Sequence, residues 1–219
     1  MRSALSLSKR QVPSASLERE LQSRGYRLVA GADEVGRGPL AGPVMAGAVV
    51  LPPGAAPPGL AGVRDSKQLT RRQRERLDQA IRAAALAVCV GEASVGEIDT
   101  LGIVPATRLA IARAVEGLGL TPAFVLIDGR GLELRDIPCR CIVKGDALCL
   151  SIAAASIVAK VARDSYMREI DSLYPGYGFA RHKGYGTAGH LESLARLGPS
   201  PVHRRSFAPV HHAAVLADM

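Results

Sequence analysis

Two adjacent carboxylates, Asp33 and Glu34, close a short apolar run and open directly onto Gly36-Arg37-Gly38-Pro39. Carboxylates at a strand end are placed to hold a hard divalent cation through oxygen. Glycines on either side of an arginine leave bare backbone beside that cation, where a phosphodiester or a sugar can come close. Two further acids occupy comparable positions. Asp128 ends the apolar run that begins at Phe124, and Asp146 follows the segment Cys139 to Val143 through Lys144-Gly145. Acids at three strand ends make a pocket negative enough for Mg²⁺ or Mn²⁺, and an oxygen-only ligand set suits those ions better than zinc. Acid, glycine and arginine together suggest metal-assisted chemistry on a nucleic-acid backbone.

Other readings of these residues are weaker. Gly36 to Ala41 matches the dinucleotide pattern G-x-G-x-x-A, but that pattern must open a helix, and here Pro39 and Gly42-Pro43 lead into another strand. No G-x-x-x-x-G-K-[ST] segment exists, so hydrolysis of a nucleoside triphosphate has no support. The four cysteines, Cys89, Cys139, Cys141 and Cys149, form no Cys-x-x-Cys pair, which argues against zinc. They read as small apolar residues in a reducing compartment, and the expected location is the cytoplasm.

Candidate substrate contacts are basic or flexible. The formal net charge of +8 favours a polyanionic partner. Arg37, Lys67, Lys183, Arg204 and Arg205 are candidate phosphate contacts. Lys67 lies in Asp65-Ser66-Lys67, ahead of a helix. Lys183 and Tyr185 lie in His182-Lys183-Gly184-Tyr185-Gly186-Thr187, which combines cation, ring and flexible backbone. Each of these segments alone also reads as an ordinary solvated turn or helix entry.

The elements that must position these groups form an α/β pattern. Residues 1–16 read as a mobile tail, and 17–219 as one domain. Strands are expected at Arg27 to Asp33, Val44 to Leu51, Leu86 to Val90, Phe124 to Asp128 and Cys139 to Val143. Thr70 with Gln73 three positions later forms a capping box for a helix. That helix buries Leu77, Ile81, Ala84 and Ala85 and turns Arg71, Arg72, Arg74 and Arg76 mostly to solvent. Helical stretches follow from Val95 and from Pro105 to Leu118. Ser151 is expected to cap a long, buried, alanine-rich helix that ends near Leu173. Tyr174 to Gly186 reads as a loop and Thr187 to Leu197 as a last clear helix. This order fits a mixed five-stranded sheet covered by helices. If the first and fourth strands are neighbours and parallel, Asp33 and Asp128 emerge at one edge, where ligands of open α/β sheets gather. No uncharged apolar run is long enough to cross a bilayer.

Taken in order, these blocks resemble bacterial ribonuclease HII, the type 2 ribonuclease H. The resemblance runs from Gly31-Ala32-Asp33-Glu34-Val35-Gly36-Arg37-Gly38-Pro39 through Asp65-Ser66-Lys67, Leu126-Ile127-Asp128-Gly129, Lys144-Gly145-Asp146 and the stretch Ser151 to Val161. It continues to His182 to Thr187 and Arg204-Arg205-Ser206-Phe207. It implies a ribonuclease H-like fold with a short helical carboxyl-terminal extension. It implies endonucleolytic cleavage of RNA in RNA–DNA hybrids and nicking at single ribonucleotides in duplex DNA, leaving 3′-hydroxyl and 5′-phosphate ends. Asp33, Glu34, Asp128 and Asp146 match the acids that hold two Mg²⁺ or Mn²⁺ ions, with Asp164 a rival for the fourth place. Gly36, Arg37 and Gly38 match the segment that senses the ribose 2′-hydroxyl, and Tyr185 the residue that stacks on the neighbouring deoxyribose. Archaeal members often carry a clamp-binding peptide at the carboxyl end. Pro209 to Met219 lacks its glutamine-and-aromatic signature, so no sliding-clamp contact is expected and the chain reads as a monomer. A junction resolvase of the same fold leaves Gly36-Arg37-Gly38 and Tyr185 without a role. A basic RNA-binding module leaves the strand-end acids without one.

Overall fold

The computed structural model describes residues 12–54 and 57–217. Five strands form one sheet: β1 (Val29–Val35), β2 (Val44–Val50), β3 (Ala87–Ala93), β4 (Phe124–Asp128) and β5 (Cys139–Ile142), in the spatial order β3-β2-β1-β4-β5. The first three strands form an antiparallel meander. β4 joins β1 in parallel, and β5 joins β4 in parallel. The expected mixed sheet is therefore present, with β1 at the change from antiparallel to parallel pairing.

Helices cover both faces. On one face lie α3 (Val95–Leu101) and α4 (Ile103–Glu116), whose Ala106, Ala110 and Ala114 pack on Ala30, Ala46, Ala48 and Val125. On the other lie α1 (Ser16–Ser23), α2 (Arg71–Ala84) and the long α6 (Leu150–Leu173). α6 crosses β1 and β2 at very short range because both sides of the contact are small. A Cβ on Gly31 would stand 2.2 Å from the Ser151 carbonyl carbon, and one on Gly47 would stand 2.4 Å from the Ala155 carbonyl oxygen. Both glycines are thus required by close approach. The remaining helices are the single turn α5 (Gly145–Leu148), α7 (Phe179–His182), α8 (Ala188–Leu197) and α9 (Ala208–Ala217), the last forming the carboxyl-terminal extension.

Several expectations shift. β1 continues past Asp33 to Val35 because Glu34 and Val35 still pair with Ala46 and Met45. α2 has its capping box, with Thr70 N–H donating to Gln73 Oε1 at 2.8 Å. Arg74 is not a solvent-facing residue of that helix: it donates to the Ser66 and Leu69 carbonyls and pairs with Asp164. Ser151 does not cap α6, which begins at Leu150. Its amide and hydroxyl instead donate to Glu18 Oε1 of α1, at 2.8 and 2.7 Å. The cap comes from 133 residues away, where local sequence gives no hint of it. Most of the expected tail, residues 1–11, lies outside the described residues. The described end is anchored: Ser14 bridges Cys149 and Ala15 is buried. The Tyr174 to Gly186 segment is not all loop, since it holds α7.

Candidate active site

The β1–β4 pairing aligns Ala32 with Ile127, which puts Asp33 and Asp128 level at the carboxyl ends of neighbouring parallel strands. Asp128 accepts the Gly145 amide at 2.6 Å. That bond ties the end of β4 to the turn carrying Asp146. The turn is made by Lys144, which adopts the left-handed conformation at φ 57°, and by Gly145, where a Cβ would stand 2.6 Å from Ile152. Asp33, Asp128 and Asp146 thus come from two strand ends and one turn, and Glu34 follows Asp33 at the site's outer edge.

The electrostatics match a cluster of like charges. Burial pushes the Asp33 carboxyl well above its ordinary pKa, and Asp128, Glu34 and Asp146 push the same way, with the nearby Ser156 hydroxyl opposing them. Asp146 is also raised, first by burial and then by Asp65 and Asp128. Local donors compensate in part. Asp33 accepts the Glu34 amide at 2.8 Å, Glu34 pairs with Arg37 at 3.2 Å, and Asp146 faces Lys67 at 3.9 Å. Burial lowers the Lys67 pKa, but Asp65, Asp146, Asp33 and Asp128 outweigh it and the net shift is upward. The Asp65-Ser66-Lys67 turn is fixed to α6 by a 2.9 Å bond from Ser156 to Ser66, leaving the lysine end exposed. Among the described residues, no three acidic, histidine or cysteine side chains converge to ligating distance as they stand. The donor set itself fits a hard divalent cation: it is all oxygen, mutually repulsive and faced by two exposed basic side chains, Arg37 and Lys67.

The second half of the site is a pair of loops. The 36–43 loop lies against the 183–186 loop, with the Leu40 amide donating to the Gly184 carbonyl at 2.7 Å. Two buried arginines hold this junction from beneath. Arg163 donates to the carbonyls of Ala41, Pro43 and Lys183 at 3.0–3.1 Å. Arg204 donates to those of Gly36, Arg37 and Gly42 at 2.6–3.0 Å. Burial lowers their pKa values to about 10 and about 9, so both remain charged at neutral pH. Tyr185 projects above them, 46% exposed, and its ring edge would lie 3.7 Å from a Cβ on Gly38.

Arg204 therefore departs from its expected role. It is fully buried, its guanidinium is consumed by main-chain carbonyls, and it offers nothing to a phosphate. Lys183 is half-buried and folds back onto the Ala180 carbonyl. Lys67, Arg37 and Arg205 are exposed as expected. Asp164 is buried between Lys160 at 2.6 Å and Arg74 at 3.4 Å, whereas Asp146 joins Asp128 and Asp33. Sequence reasoning missed Arg163, whose position mid-helix carries no motif. It also missed Arg108 and Arg130, which line a cleft beside Glu34, Arg37 and Asp128.

A mixed sheet with acids at the ends of its central strands, flanked by basic loops, defines a nuclease of the ribonuclease H-like class. The family model for ribonuclease HII matches residues 30–210. A ribonuclease HII of Desulfitobacterium hafniense (strain Y51) is 55% identical over 193 residues, covering 88% of this chain and 73% of that protein. The crystal structure of the ribonuclease H2 from Pyrococcus horikoshii OT3 superposes with a TM-score of 0.72 at 25% identity, covering 86% of this chain and 98% of that one. The structure of Bst-RNase HIII in complex with Mn²⁺ shares the fold, with a TM-score of 0.66 at 21% identity, covering 88% and 70%. The chain belongs to the ribonuclease HII family and is a hydrolase that acts as an endonuclease on the RNA of RNA–DNA hybrids.

Proposed function

We propose that this enzyme also nicks duplex DNA on the 5′ side of a single embedded ribonucleotide, leaving a 3′-hydroxyl and a 5′-phosphate, and so serves ribonucleotide removal. The observation that carries this reading is the exposed Tyr185 ring beside Gly38, at the rim of the acid cluster. Gly38 leaves exposed backbone for the 2′-hydroxyl of a ribose, while Gly36, expected to do the same, is buried with its carbonyl held by Arg204. The Tyr185 face suits the next sugar only if that sugar lacks a 2′-hydroxyl, so the pair reads a ribose-to-deoxyribose step.

Asp33, Glu34, Asp128 and Asp146 would hold Mg²⁺ or Mn²⁺, and the Mn²⁺ complex of a fold relative is in keeping with that donor set. A bound divalent cation supplies a polarised water and neutralises charge on the cleaved phosphodiester. The chain's own groups do the rest. Lys67, released from Asp146, is a mobile cation beside the scissile phosphate. Arg37 is exposed at the outer edge and Arg205 on the carboxyl-terminal side, where each meets backbone phosphates. Residues 17–219 act as one catalytic unit, monomeric and cytoplasmic, a location with which four free cysteines are in keeping.

The test is metal-dependent nicking of a duplex holding one ribonucleotide, followed for Tyr185→Ala and Tyr185→Phe. Stacking of an aromatic on a base is worth roughly 1–3 kcal/mol. On a sugar the expected loss for the Ala variant is at the low end, about tenfold in rate, with Phe near the parent. Equal rates for the two variants remove the stacking role, and failure to nick this duplex at all removes the proposed activity.

A further inference from the structure

Behind the 183–186 loop lie three histidines that the acid cluster does not use. His190 and His203 are fully buried. Their Nε2 atoms are 3.1 Å apart, and the His182 and His190 rings stack with centroids at 4.3 Å. The rest of the pocket is Tyr177, stacked on Phe179, and the Ser200 turn. Among the described residues, no carboxylate hydrogen-bonds or ion-pairs with any of these rings.

The hydrogen bonds allow one arrangement of protons. The Ser200 amide can only donate, and it points at His203 Nδ1 from 3.0 Å, so that nitrogen is bare. A neutral His203 then carries its proton on Nε2 and donates it to His190 Nε2. His190 Nε2 is in turn bare, its proton sits on Nδ1, and Nδ1 donates to the Tyr185 carbonyl at 2.9 Å. His182 follows the same logic. Its Nδ1 accepts the Gly184 amide at 3.2 Å, so Nε2 is the donor to the Tyr177 carbonyl at 2.8 Å. In this arrangement each ring donates one hydrogen bond, His203 Nδ1 accepts from both the amide and, at 2.8 Å, the hydroxyl of Ser200, and every ring is neutral. Burial lowers the pKa values of His190 and His203, which is consistent with that state.

We propose that His190 is a positioning residue for substrate reading by Tyr185: the Ser200–His203–His190 relay fixes the Tyr185 peptide and so the direction in which its ring leaves the loop. The Tyr185 carbonyl accepts from both His190 and the Thr187 amide at 2.8 Å, so the relay fills its second lone pair and resists rotation of the peptide. His182 does the same for the Gly184 amide one residue earlier. The ring on the surface is therefore aimed by a buried chain that ends on the Ser200 turn, which leads to the segment bearing Arg204 and Arg205. The proposal rests on the reading of Tyr185 given above.

Two amide substitutions separate the relay's ends. Asparagine carries its side-chain nitrogen where histidine carries Nδ1, so His190→Asn keeps the donor to Tyr185 and loses His203. Glutamine places its amide where Nε2 was, so His190→Gln keeps the His203 contact and loses Tyr185. On a duplex with one ribonucleotide, His190→Gln is expected to slow single-turnover nicking at least fivefold, and His190→Asn less than twofold. In a Tyr185→Ala background the two should differ by less than twofold, because the ring they aim is gone. A purely structural role predicts equal losses in both backgrounds. If Tyr185→Ala slows nicking but the Asn and Gln variants match, the relay alone is overturned. If Tyr185→Ala nicks as fast as the parent, the sugar-reading role falls and the relay with it. The parent protein gives a measurement free of folding defects: nitrogen-15 resonances at pH 7 should report His182 and His203 protonated on Nε2 and His190 on Nδ1. Any other tautomer at His190, or a charged ring there, overturns the proposal.

Discussion

Gly31→Ala tests the packing that sets the acids in place. The added Cβ would lie 2.2 Å from the Ser151 carbonyl carbon, 2.4 Å from the Ile152 nitrogen and 2.5 Å from Ser151 Oγ. Two of these atoms are backbone, so no rotamer change relieves the clash. Ordinary contact begins at 3.4 Å, so the start of α6 must retreat by more than 1 Å from β1. Forcing a methyl group into a filled core costs about 1–3 kcal/mol, and a contact against backbone belongs at the top of that range. For a chain of this size 1 kcal/mol moves the melting midpoint by about 2–4 °C, so a fall of about 6–12 °C is expected. The retreat also strains the Ser151–Glu18 bonds and separates Ser156 from Asp33. Turnover should therefore drop at least tenfold at temperatures where the variant is folded. Gly96→Ala and Gly189→Ala are the controls: each lies in a helix with open space around the new Cβ, and each should gain up to about 1 kcal/mol from helix propensity. A Gly31→Ala protein that melts within 2 °C of the parent and turns over normally would refute the close-approach reasoning.

Three further outcomes follow from the site. Asp146→Asn should lower turnover at least a hundredfold with little change in melting, whereas Asp164→Asn should unpair Lys160 and Arg74 and lower the melting point more than the rate; the reverse pattern would make Asp164 the fourth acid. His203 is buried neutral with its pKa lowered to about 4, so the unfolded chain binds the proton first: its contribution is complete above about pH 6.5 and drains away as pH falls toward 4. That amounts to about 2 kcal/mol between pH 7 and pH 5, measurable as a melting-point loss that His203→Asn should lack; a His203→Asn protein with the same pH slope as the parent would count against it. Binding to a duplex in Ca²⁺ should weaken steeply with salt, and Arg37→Ala should reduce the log–log slope by about 1 while Arg204→Lys leaves it unchanged; an affinity indifferent to ionic strength would contradict a phosphate-led interface.

Much of the fold was legible because its signals are local. Phe124 to Asp128 is a continuous apolar run ending in acid, and it is a buried strand with the same bounds. Thr70 and Gln73 announce α2 within four residues. Asp33 and Asp128 could be placed at one edge once β1 and β4 were taken as parallel neighbours. What escaped depends on distance. The α6 cap lies on α1, far back in the chain, so the nearest hydroxyl, Ser151, was the natural but mistaken candidate. Arg204 sits in a basic run that looks like a phosphate contact, and only the fold reveals that it faces inward while Arg205 faces out. Arg163 and the histidine relay act on main-chain atoms of other segments, which no spacing rule describes.

The order of strands also has a consequence for how the chain matures. β1 and β2 are joined by the short 36–43 loop and β3 follows after the 51–86 segment, so all three can pair while the rest of the chain is still being made. Asp33 and Glu34 belong to that early meander, but Asp128 and Asp146 arrive on β4 and the turn after β5, which must cross from far along the chain to reach β1. The repulsive cluster is thus incomplete until β4 and β5 have been added, and a nascent meander carries only half of the acids. Delayed protection of the β4 and β5 amides relative to those of β2 in pulsed hydrogen exchange would be the kinetic signature of an enzyme that stays inert until those two strands have docked.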